Sequence, residues 1–118
     1  MRRKKLGQLG EKIAENLLIS YGYIIREKNY RCPFGEIDII AEDKSDLVFL
    51  EVRTKTSLTY GTPHESITKS KQQRLKRIAV YYLNQINQLE ISCRFDVVLI
   101  QMSGSSQVKE LELIKNAF

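Results

Sequence analysis

Residue types that build several common kinds of site are scarce in this chain of 118 residues. It contains no tryptophan, a single histidine at His64, and two cysteines at Cys32 and Cys93. Two cysteines are too few for a disulfide scaffold, and with one histidine they fall short of the four ligands of a structural zinc site. We interpret both cysteines as reduced thiols and expect a cytoplasmic protein.

Long apolar runs are also absent. None approaches the roughly 20 residues needed to span a bilayer, so no membrane segment is predicted. The basic residues at positions 2–5 resemble the start of a signal peptide, but no apolar segment follows them. No repeat, low-complexity tract or proline-rich linker divides the chain, and we therefore predict a single domain over residues 1–118.

Positive charge exceeds negative charge, with a formal net charge of +5 at pH 7 and an isoelectric point near 9.3. This balance favours an anionic partner, although a lysine-rich solvated surface would give the same sum. The placement of the charges is therefore more informative than their total.

Hydrophobic periodicity predicts seven elements in the order helix, three strands, helix, two strands. The predicted helices cover residues 6–21 and 68–87, and the predicted strands cover residues 23–31, 35–42, 47–55, 94–102 and 107–114. Residues 57–65 are a predicted loop. Asp96, at the entrance of an apolar strand, is interpreted as a hydrogen-bonding residue rather than a metal ligand. This order predicts an α/β fold with a mixed central sheet flanked by helices.

Two glycines, Gly7 and Gly10, fall on the apolar face of the first predicted helix. Because glycine inside a helix costs roughly 1 kcal/mol relative to alanine, we expect a close approach of the helix backbone to its neighbour there. Glu11 lies at the border of the same face and is expected at the seam between helix and sheet. A solvated position at the helix edge is the alternative for Glu11.

Two carboxylates, Asp38 and Glu51, are the most informative feature of the chain. They lie on consecutive predicted strands, and a turn centred between residues 44 and 45 pairs residues whose numbers sum to 89. Asp38 is then opposite Glu51, and Glu36 is opposite Arg53. Like charges directly across a strand pair are destabilising, so the pair needs a cation. A bound divalent metal ion and Arg53 are the two candidates.

The second predicted helix brings further cations towards this hairpin. Its apolar stripe, extended one turn backwards, reaches Lys71 and Gln72, so these two side chains are predicted to point towards the sheet. Snorkelling to solvent from the helix end is the alternative for Lys71. Lys69 and Arg74 lie on other faces of the helix.

Two acids on neighbouring strands, with a cation two residues beyond the second acid, suit metal-assisted hydrolysis of a phosphodiester. Mg²⁺ is usually held by one or two carboxylates together with water and substrate phosphate oxygens. The metal ion lowers the pKa of a bound water, and a neighbouring basic side chain stabilises the charge that develops on the phosphate.

The wider pattern resembles a known family. An acid, about a dozen residues and then Glu-x-Lys is typical of the PD-(D/E)xK nucleases, also called restriction-endonuclease-like. Six longer segments together resemble the bacterial YraN family, which is assigned to this superfamily and is similar to archaeal Holliday-junction resolvases. The segments are Gly7-x-x-Gly10-Glu11-x-x-Ala14, Tyr30-Arg31-Cys32, Phe34-Gly35-Glu36-Ile37-Asp38, Val48-Phe49-Leu50-Glu51-Val52-Arg53, Ser70-Lys71-Gln72 and Cys93-Arg94-Phe95-Asp96-Val97-Val98.

The resemblance implies a restriction-endonuclease-like core in the order αβββαββ and assigns roles to single residues. Glu11, Asp38 and Glu51 match the acids that hold the metal ion. Arg53 stands at the position of the motif lysine, and because arginine stays protonated it can hold a phosphate but cannot act as a base. Lys55 lies on the same strand face and is the other candidate for the motif lysine.

These features predict a cytoplasmic nuclease, dependent on Mg²⁺ or Mn²⁺, that cleaves DNA, with branched or flapped DNA as the expected substrate class and RNA as an alternative. Asp38, Glu51 and Arg53 are the expected catalytic residues. The side chains expected to contact phosphates are Lys55, Lys69, Lys71 and Arg74, together with the basic tail. A homodimer would match the two-fold symmetry of a four-way junction. The rival hypotheses are a nucleic-acid-binding module of the same fold without turnover, and a DNA-processing adaptor whose acidic hairpin is a salt-bridged ladder.

Overall fold

The computed structural model describes residues 3–56, 67–103 and 107–118. The predicted loop at 57–65, residue 2 of the basic tail and the side chains of residues 3 and 4 lie outside what it describes. The elements are α1 (Arg3–Ser20), β1 (Ile24–Cys32), β2 (Gly35–Asp43), β3 (Asp46–Thr56), α2 (Lys69–Gln85), β4 (Cys93–Ser103) and β5 (Gln107–Ile114). The predicted order of helices and strands is confirmed.

The five strands form one mixed sheet in the order β1-β2-β3-β4-β5. Neighbouring strands run antiparallel, except for β3 and β4, which run parallel. Adjacent parallel strands need a crossover connection, and α2 lies within the connection from β3 to β4. The prediction of an α/β fold with a mixed central sheet is confirmed, whereas the single domain stays a prediction.

Each helix covers one face of the sheet. Along β3, Val48 and Leu50 belong to the hydrophobic core under α1, while Phe49 belongs to the core under α2. Ala14 of α1 and Ile78 of α2 are buried in these two cores. Burying a side chain such as Leu50 or Phe49 stabilises the fold by about 1.5–3 kcal/mol, so the sheet is held firmly from both sides.

The glycines of α1 behave differently from one another. Gly22, directly after the predicted helix over residues 6–21, has a φ of +90° and stops the helix, because glycine adopts positive φ without steric cost. A Cβ at Gly10 would clash with Oγ1 of Thr54 in β3, so the predicted close approach is confirmed there. At Gly7 the same prediction is wrong, since a Cβ would meet nothing within 4 Å.

An ion-pair network closes the end of the sheet at the β2–β3 turn. Arg94 donates hydrogen bonds to Asp43, Asp46 and Asp96 over distances of 2.7–3.2 Å. Asp96 is buried and also accepts a hydrogen bond from the hydroxyl of Tyr23 at 2.9 Å. The interpretation of Asp96 as a hydrogen-bonding residue is therefore confirmed.

The helices and the two cysteines bear on the predictions made about membrane segments and thiols. Among the residues that the structure describes, no helix is long and apolar enough to cross a bilayer. Cys32 and Cys93 are both free, in agreement with their interpretation as thiols.

Candidate functional site at the fork of the sheet

β2 and β3 separate part-way along their length. Their antiparallel pairing begins at the β2–β3 turn, keeps residue numbers that sum to 89 as predicted, and ends with Ile39 opposite Leu50. Beyond this point Ile37 stays paired with β1, whereas Glu51 stays paired with β4. The sheet therefore forks between Asp38 and Glu51.

The fork corrects part of the predicted hairpin. The β2–β3 ladder does not include the predicted pairs of Asp38 with Glu51 and of Glu36 with Arg53. Glu36 instead lies opposite Arg31 of β1 and forms an exposed ion pair with it, at 3.1 Å from Nε to Oε2. Register counting failed here because it assumed one continuous ladder, whereas each strand keeps a different partner beyond the fork.

The backbone is irregular at the same level. Ile37 belongs to the core under α2 and Ile39 to the core under α1, although residues two apart on a regular strand share a face. The alternation of β2 therefore breaks at Asp38. In β1, Asn29 lies between the partners of Ile39 and Ile37 and has a φ of +52°. Such conformations are uncommon outside glycine and cluster at functional sites.

Asp38 lies in the fork, and its carboxylate holds the diverging strands together. Its Oδ2 accepts a hydrogen bond from the backbone N–H of Val52 at 2.7 Å. Burial raises the pKa of Asp38 from 3.8 to about 6, and the negative charges of Glu51 and Glu11 act in the same direction. The Val52 hydrogen bond and the charge of Lys71 lower the pKa without cancelling this rise. A bound cation would remove the penalty on the ionised form.

Glu51 faces the N-terminal end of α2. Its Oε1 forms an ion pair with Nζ of Lys71 at 2.7 Å, so Lys71 points towards the sheet as predicted. Its other oxygen, Oε2, is buried and has no hydrogen-bond partner among the described residues. A buried carboxylate oxygen without a partner is costly, and this cost indicates a position where a ligand, water or ion is to be bound.

Local capping explains why α2 carries Lys71 into the fork. Thr68 is the N-cap residue, and its side chain accepts a hydrogen bond from the backbone N–H of Lys71 at 3.2 Å. The side chain of Gln72 donates to the carbonyl of Ile67 at 2.8 Å rather than to the sheet, and it anchors the segment before the helix. The positive end of the helix and the Lys71 ammonium group together favour negative charge at the fork.

Glu11 approaches from α1, on the opposite face of the sheet from Lys71. Burial raises its pKa, a hydrogen bond with the Asn29 side chain lowers it, and the charge of Glu36 raises it further. Glu11 lines a cleft of about 590 Å³ between α1 and the first two strands. Gly7 borders the same cleft, in agreement with the open space around it. The predicted position of Glu11 at the seam of helix and sheet is confirmed.

The three acids interact electrostatically but do not form one compact ligand set. The charges of Glu11 and Glu51 both raise the pKa of Asp38. Within residues 3–56, 67–103 and 107–118, however, no group of three or more acidic, histidine or cysteine side chains is arranged to hold a metal ion. The structure thus brings Asp38 and Glu51 to the fork as a pair, with Glu11 on the α1 side.

The other basic residues singled out from the sequence lie around the fork. Arg53 and Lys55 are partly buried and lie beyond Glu51 on β3, in the part of the strand that is still paired with β4. Lys69 is exposed at the start of α2. Arg74 is exposed on the next turn, and its side chain packs beside Gly35 in the β1–β2 turn. The roles of these residues stay predictions.

Comparison with known proteins identifies the family. The family model described as "Uncharacterised protein family UPF0102" matches residues 10–100, a range that contains every residue of the fork. The chain belongs to the UPF0102 family. A UPF0102 protein of Moorella thermoacetica is 49% identical over 118 residues, covering 100% of this chain and 98% of the relative. A UPF0102 protein of Caldicellulosiruptor saccharolyticus is 43% identical, and the match covers 100% of both chains. A UPF0102 protein of Clostridium botulinum is also 43% identical, and the match covers 98% of this chain and 94% of the relative. The resemblance to the YraN family is thereby confirmed.

Asn29 is the residue of this UPF0102 site that sequence reasoning missed. It shapes β1 opposite the break at Asp38, and its side chain is hydrogen-bonded to Glu11. Asparagine is depleted in strands and tolerates positive φ, so an asparagine inside a predicted strand is the signal that would have found it.

Proposed function

We propose that this UPF0102 protein is a divalent-metal-dependent nuclease with a restriction-endonuclease-like core that hydrolyses phosphodiester bonds in DNA. The observation that carries the proposal is the buried Oε2 of Glu51, which has no hydrogen-bond partner among the residues that the structure describes. Beside it lies Asp38, a carboxylate whose ionised form is disfavoured by burial. A bound cation would give the Glu51 oxygen a partner and would favour the ionised form of Asp38. The forked mixed sheet between two helices agrees with the order αβββαββ that the PD-(D/E)xK resemblance implies.

Asp38 and Glu51 are the residues that would hold Mg²⁺ or Mn²⁺. Mg²⁺ takes oxygen ligands and is commonly bound by one or two carboxylates with water and phosphate oxygens completing the set. Oδ2 of Asp38 and Oε1 of Glu51 are engaged by Val52 and Lys71, so the other oxygen of each carboxylate is the one that fits the ion. When bound, the metal ion supplies a more acidic water and a counter-charge for the phosphate.

Lys71 and Arg53 are the cations that we assign to the phosphate. The ammonium group of Lys71 has three N–H donors, so it can hold a phosphate oxygen while it keeps its contact with Glu51. Arg53 lies two residues beyond Glu51 on the same strand and can hold a phosphate, but it cannot accept a proton from water. We therefore propose that Lys71 supplies the lysine ammonium group that the family motif places at Arg53.

α2 supports DNA as the partner. Its sequence contains five lysine or arginine residues and no acidic residue, so one helix concentrates positive charge beside the fork. Contacts to phosphates of this kind position a duplex without reading its sequence, which favours recognition of branched or flapped structure. We also propose that the protein acts in the cytoplasm as a homodimer.

A nucleic-acid-binding module without turnover is the second candidate. The ion pair between Lys71 and Glu51 already neutralises one of the two carboxylates, and Arg53 replaces the motif lysine. Both observations are compatible with a protein that kept the phosphate contacts and lost the metal ion.

Cleavage and metal binding of Glu51→Gln test the two candidates. We expect the wild type to cut at least one of a panel of duplex, single-stranded, flapped and four-way DNA substrates in Mg²⁺ or Mn²⁺, and to stop cutting in EDTA. Millimolar metal should also raise the melting temperature of the wild type, because a ligand that binds only the folded state stabilises it, by about 2.7 kcal/mol at 100 times its dissociation constant. Glu51→Gln should lose both effects.

Glu36→Gln is the matched control, because Glu36 is an exposed carboxylate with an ion-pair partner of its own. It should keep cleavage and the thermal response to metal. Cleavage that persists in Glu51→Gln would indicate a contaminant and refute the site. DNA binding without cleavage, together with a melting temperature that metal does not move, would favour the module without turnover.

A further inference from the structure

A second surface of the molecule combines apolar and basic side chains. It is a groove of about 410 Å³ between α2 and the β1–β2 turn, and its lining residues are Phe34, Lys76, Arg77, Val80, Tyr81 and Asn84. Phe34 and Val80 are 45% and 57% exposed. None of these side chains takes part in the fork.

Phe34 lies on a tight turn at the rim of the groove. It forms a two-residue turn with Pro33 between the paired residues Cys32 and Gly35. Proline fixes its own φ, and Gly35 has a φ of +130°, which other residues rarely adopt. The ring of Phe34 meets that of Tyr81 edge to face, with centroids 6.1 Å apart and an angle of 75°. A partly exposed aromatic ring is thus displayed on a turn of restricted conformation.

The charge around the groove defines its occupant. Lys76 and Arg77 are exposed at its edge, and neither takes part in an ion pair with another described residue. An occupant that matches the groove needs flat apolar surfaces for Phe34 and Tyr81, and anionic groups for the two cations. Single-stranded nucleic acid has both, since unstacked bases stack on aromatic side chains while basic residues follow the backbone.

The groove and the fork are built on the same hairpin and the same helix. Phe34 precedes Asp38 by four residues on the same hairpin, which corresponds to about 13 Å of strand and to about four stacked nucleotides. Arg74 lies between the two regions, because its side chain packs beside Gly35 while its helix carries Lys71 one turn earlier. A strand whose phosphate lies at the fork can therefore extend an unpaired end across Arg74 into the groove.

We propose that this groove binds an unpaired single-stranded segment of DNA adjacent to the fork, with a base stacked on Phe34 and phosphates on Lys76 and Arg77. The inference rests on the proposed function, because it assigns a strand end to the substrate cut at the fork. It specifies the substrate class as duplex DNA with a single-stranded flap or overhang rather than uniform duplex.

Binding to labelled DNA in EDTA, measured by fluorescence anisotropy, tests the groove without cleavage. The probes are a blunt duplex, the same duplex with a thymidine overhang, and the duplex with an abasic overhang that keeps the phosphates but lacks the bases. We expect Phe34→Ala to weaken binding of the thymidine overhang about tenfold and of the blunt duplex less than twofold. The wild type should bind the abasic overhang about tenfold more weakly than the thymidine overhang, and Phe34→Ala should bind the two alike.

Two variants control the measurement. Tyr21→Ala removes an aromatic side chain that is 61% exposed and lies outside the groove, and it should leave every affinity unchanged. Phe34→Tyr keeps a stacking ring and should retain wild-type binding. Equal weakening of overhang and blunt duplex by Phe34→Ala, or no weakening at all, would overturn the proposal. The proposal would also be overturned if Phe34→Ala changed the protein from dimer to monomer in sedimentation and left its affinity for DNA unchanged. The groove would then be an interface between two copies of the chain.

The outcome for the groove is separable from that for the nuclease. Glu51→Gln should keep the preference for the thymidine overhang, because the groove does not contain the fork carboxylates. If the overhang preference depends on Phe34 but no substrate is cut by the wild type, the groove stands and the nuclease proposal fails. If the wild type cuts DNA but Phe34→Ala has no effect on overhang binding, the nuclease stands and the groove proposal fails.

Discussion

The ionised carboxylate of Asp38 destabilises the metal-free fold, and Asp38→Asn should therefore be more stable than the wild type at neutral pH. The pKa of Asp38 is raised from 3.8 to about 6, chiefly by burial. One pKa unit corresponds to about 1.4 kcal/mol, so ionisation of this group costs the folded state up to about 3 kcal/mol. An amide oxygen can still accept the hydrogen bond from Val52, so the substitution removes the charge and keeps the contact.

The sign of the pH dependence follows from the direction of the shift. Because the folded-state pKa of Asp38 is the higher one, its protonated form stabilises the wild type fully below about pH 4, and this contribution is lost as the pH rises through 6. Asp38→Asn should gain about 1–3 kcal/mol above pH 7, or roughly 4 °C in melting temperature per kcal/mol for a domain of this size. The gain should shrink below pH 6 and vanish near pH 4.

Thermal unfolding in EDTA between pH 4 and pH 8 measures this difference. Asp96→Asn is the matched control, because Asp96 is also a buried aspartate but accepts hydrogen bonds from Arg94 and Tyr23. It should lose stability where Asp38→Asn gains it. A loss of stability in Asp38→Asn at pH 8, or a gain that is the same at every pH, would refute the account of the fork as a site in need of a cation.

Two further predictions concern the frame around the fork. Gly10→Ala should destabilise the fold by about 1–3 kcal/mol through its clash with Thr54, and adding Thr54→Ala should recover most of this loss. Gly7→Ala should instead stabilise α1 by about 0.5–1 kcal/mol, because nothing lies near the added Cβ. Urea unfolding of the variants measures these differences, and equal effects at the two glycines would contradict the packing. Arg94→Met should cost about 3–5 kcal/mol near neutral pH, because it leaves the buried carboxylate of Asp96 without its cation. Calorimetry of Arg94→Met measures this loss, and a change below about 1 kcal/mol would show that the network contributes little.

The elements of the fold were predictable because their signals are local. The stop just after α1 follows from the tolerance of glycine for positive φ at Gly22, and the start of α2 near Thr68 follows from the apolar stripe of the helix. The inward direction of Lys71 follows from the same stripe, since residues three and four apart share a helix face. These inferences need only neighbouring residues, and the fold confirms each of them.

The shape of the site was less predictable because it depends on strand partners that are distant in sequence. Counting the hairpin register was correct as far as Ile39 and Leu50 and failed immediately afterwards. The failure arises because β2 continues with β1 and β3 continues with β4, and no residue near the hairpin signals that division. The open space beside Gly7 likewise depends on how far α1 stands from β1 and β2.

By itself, the sequence determined the seven elements, the identity of the acids and the presence of a cationic helix, because periodicity and residue type are properties of short stretches of chain. Only the tertiary structure decided that the sheet forks between Asp38 and Glu51 and that Lys71 reaches one carboxylate oxygen and leaves the other buried. The tertiary structure also brings the turn at Phe34 against α2, and the two form one groove. The physical reason is that burial, which raises the pKa of Asp38 and isolates Oε2 of Glu51, exists only once the strands and both helices are packed together.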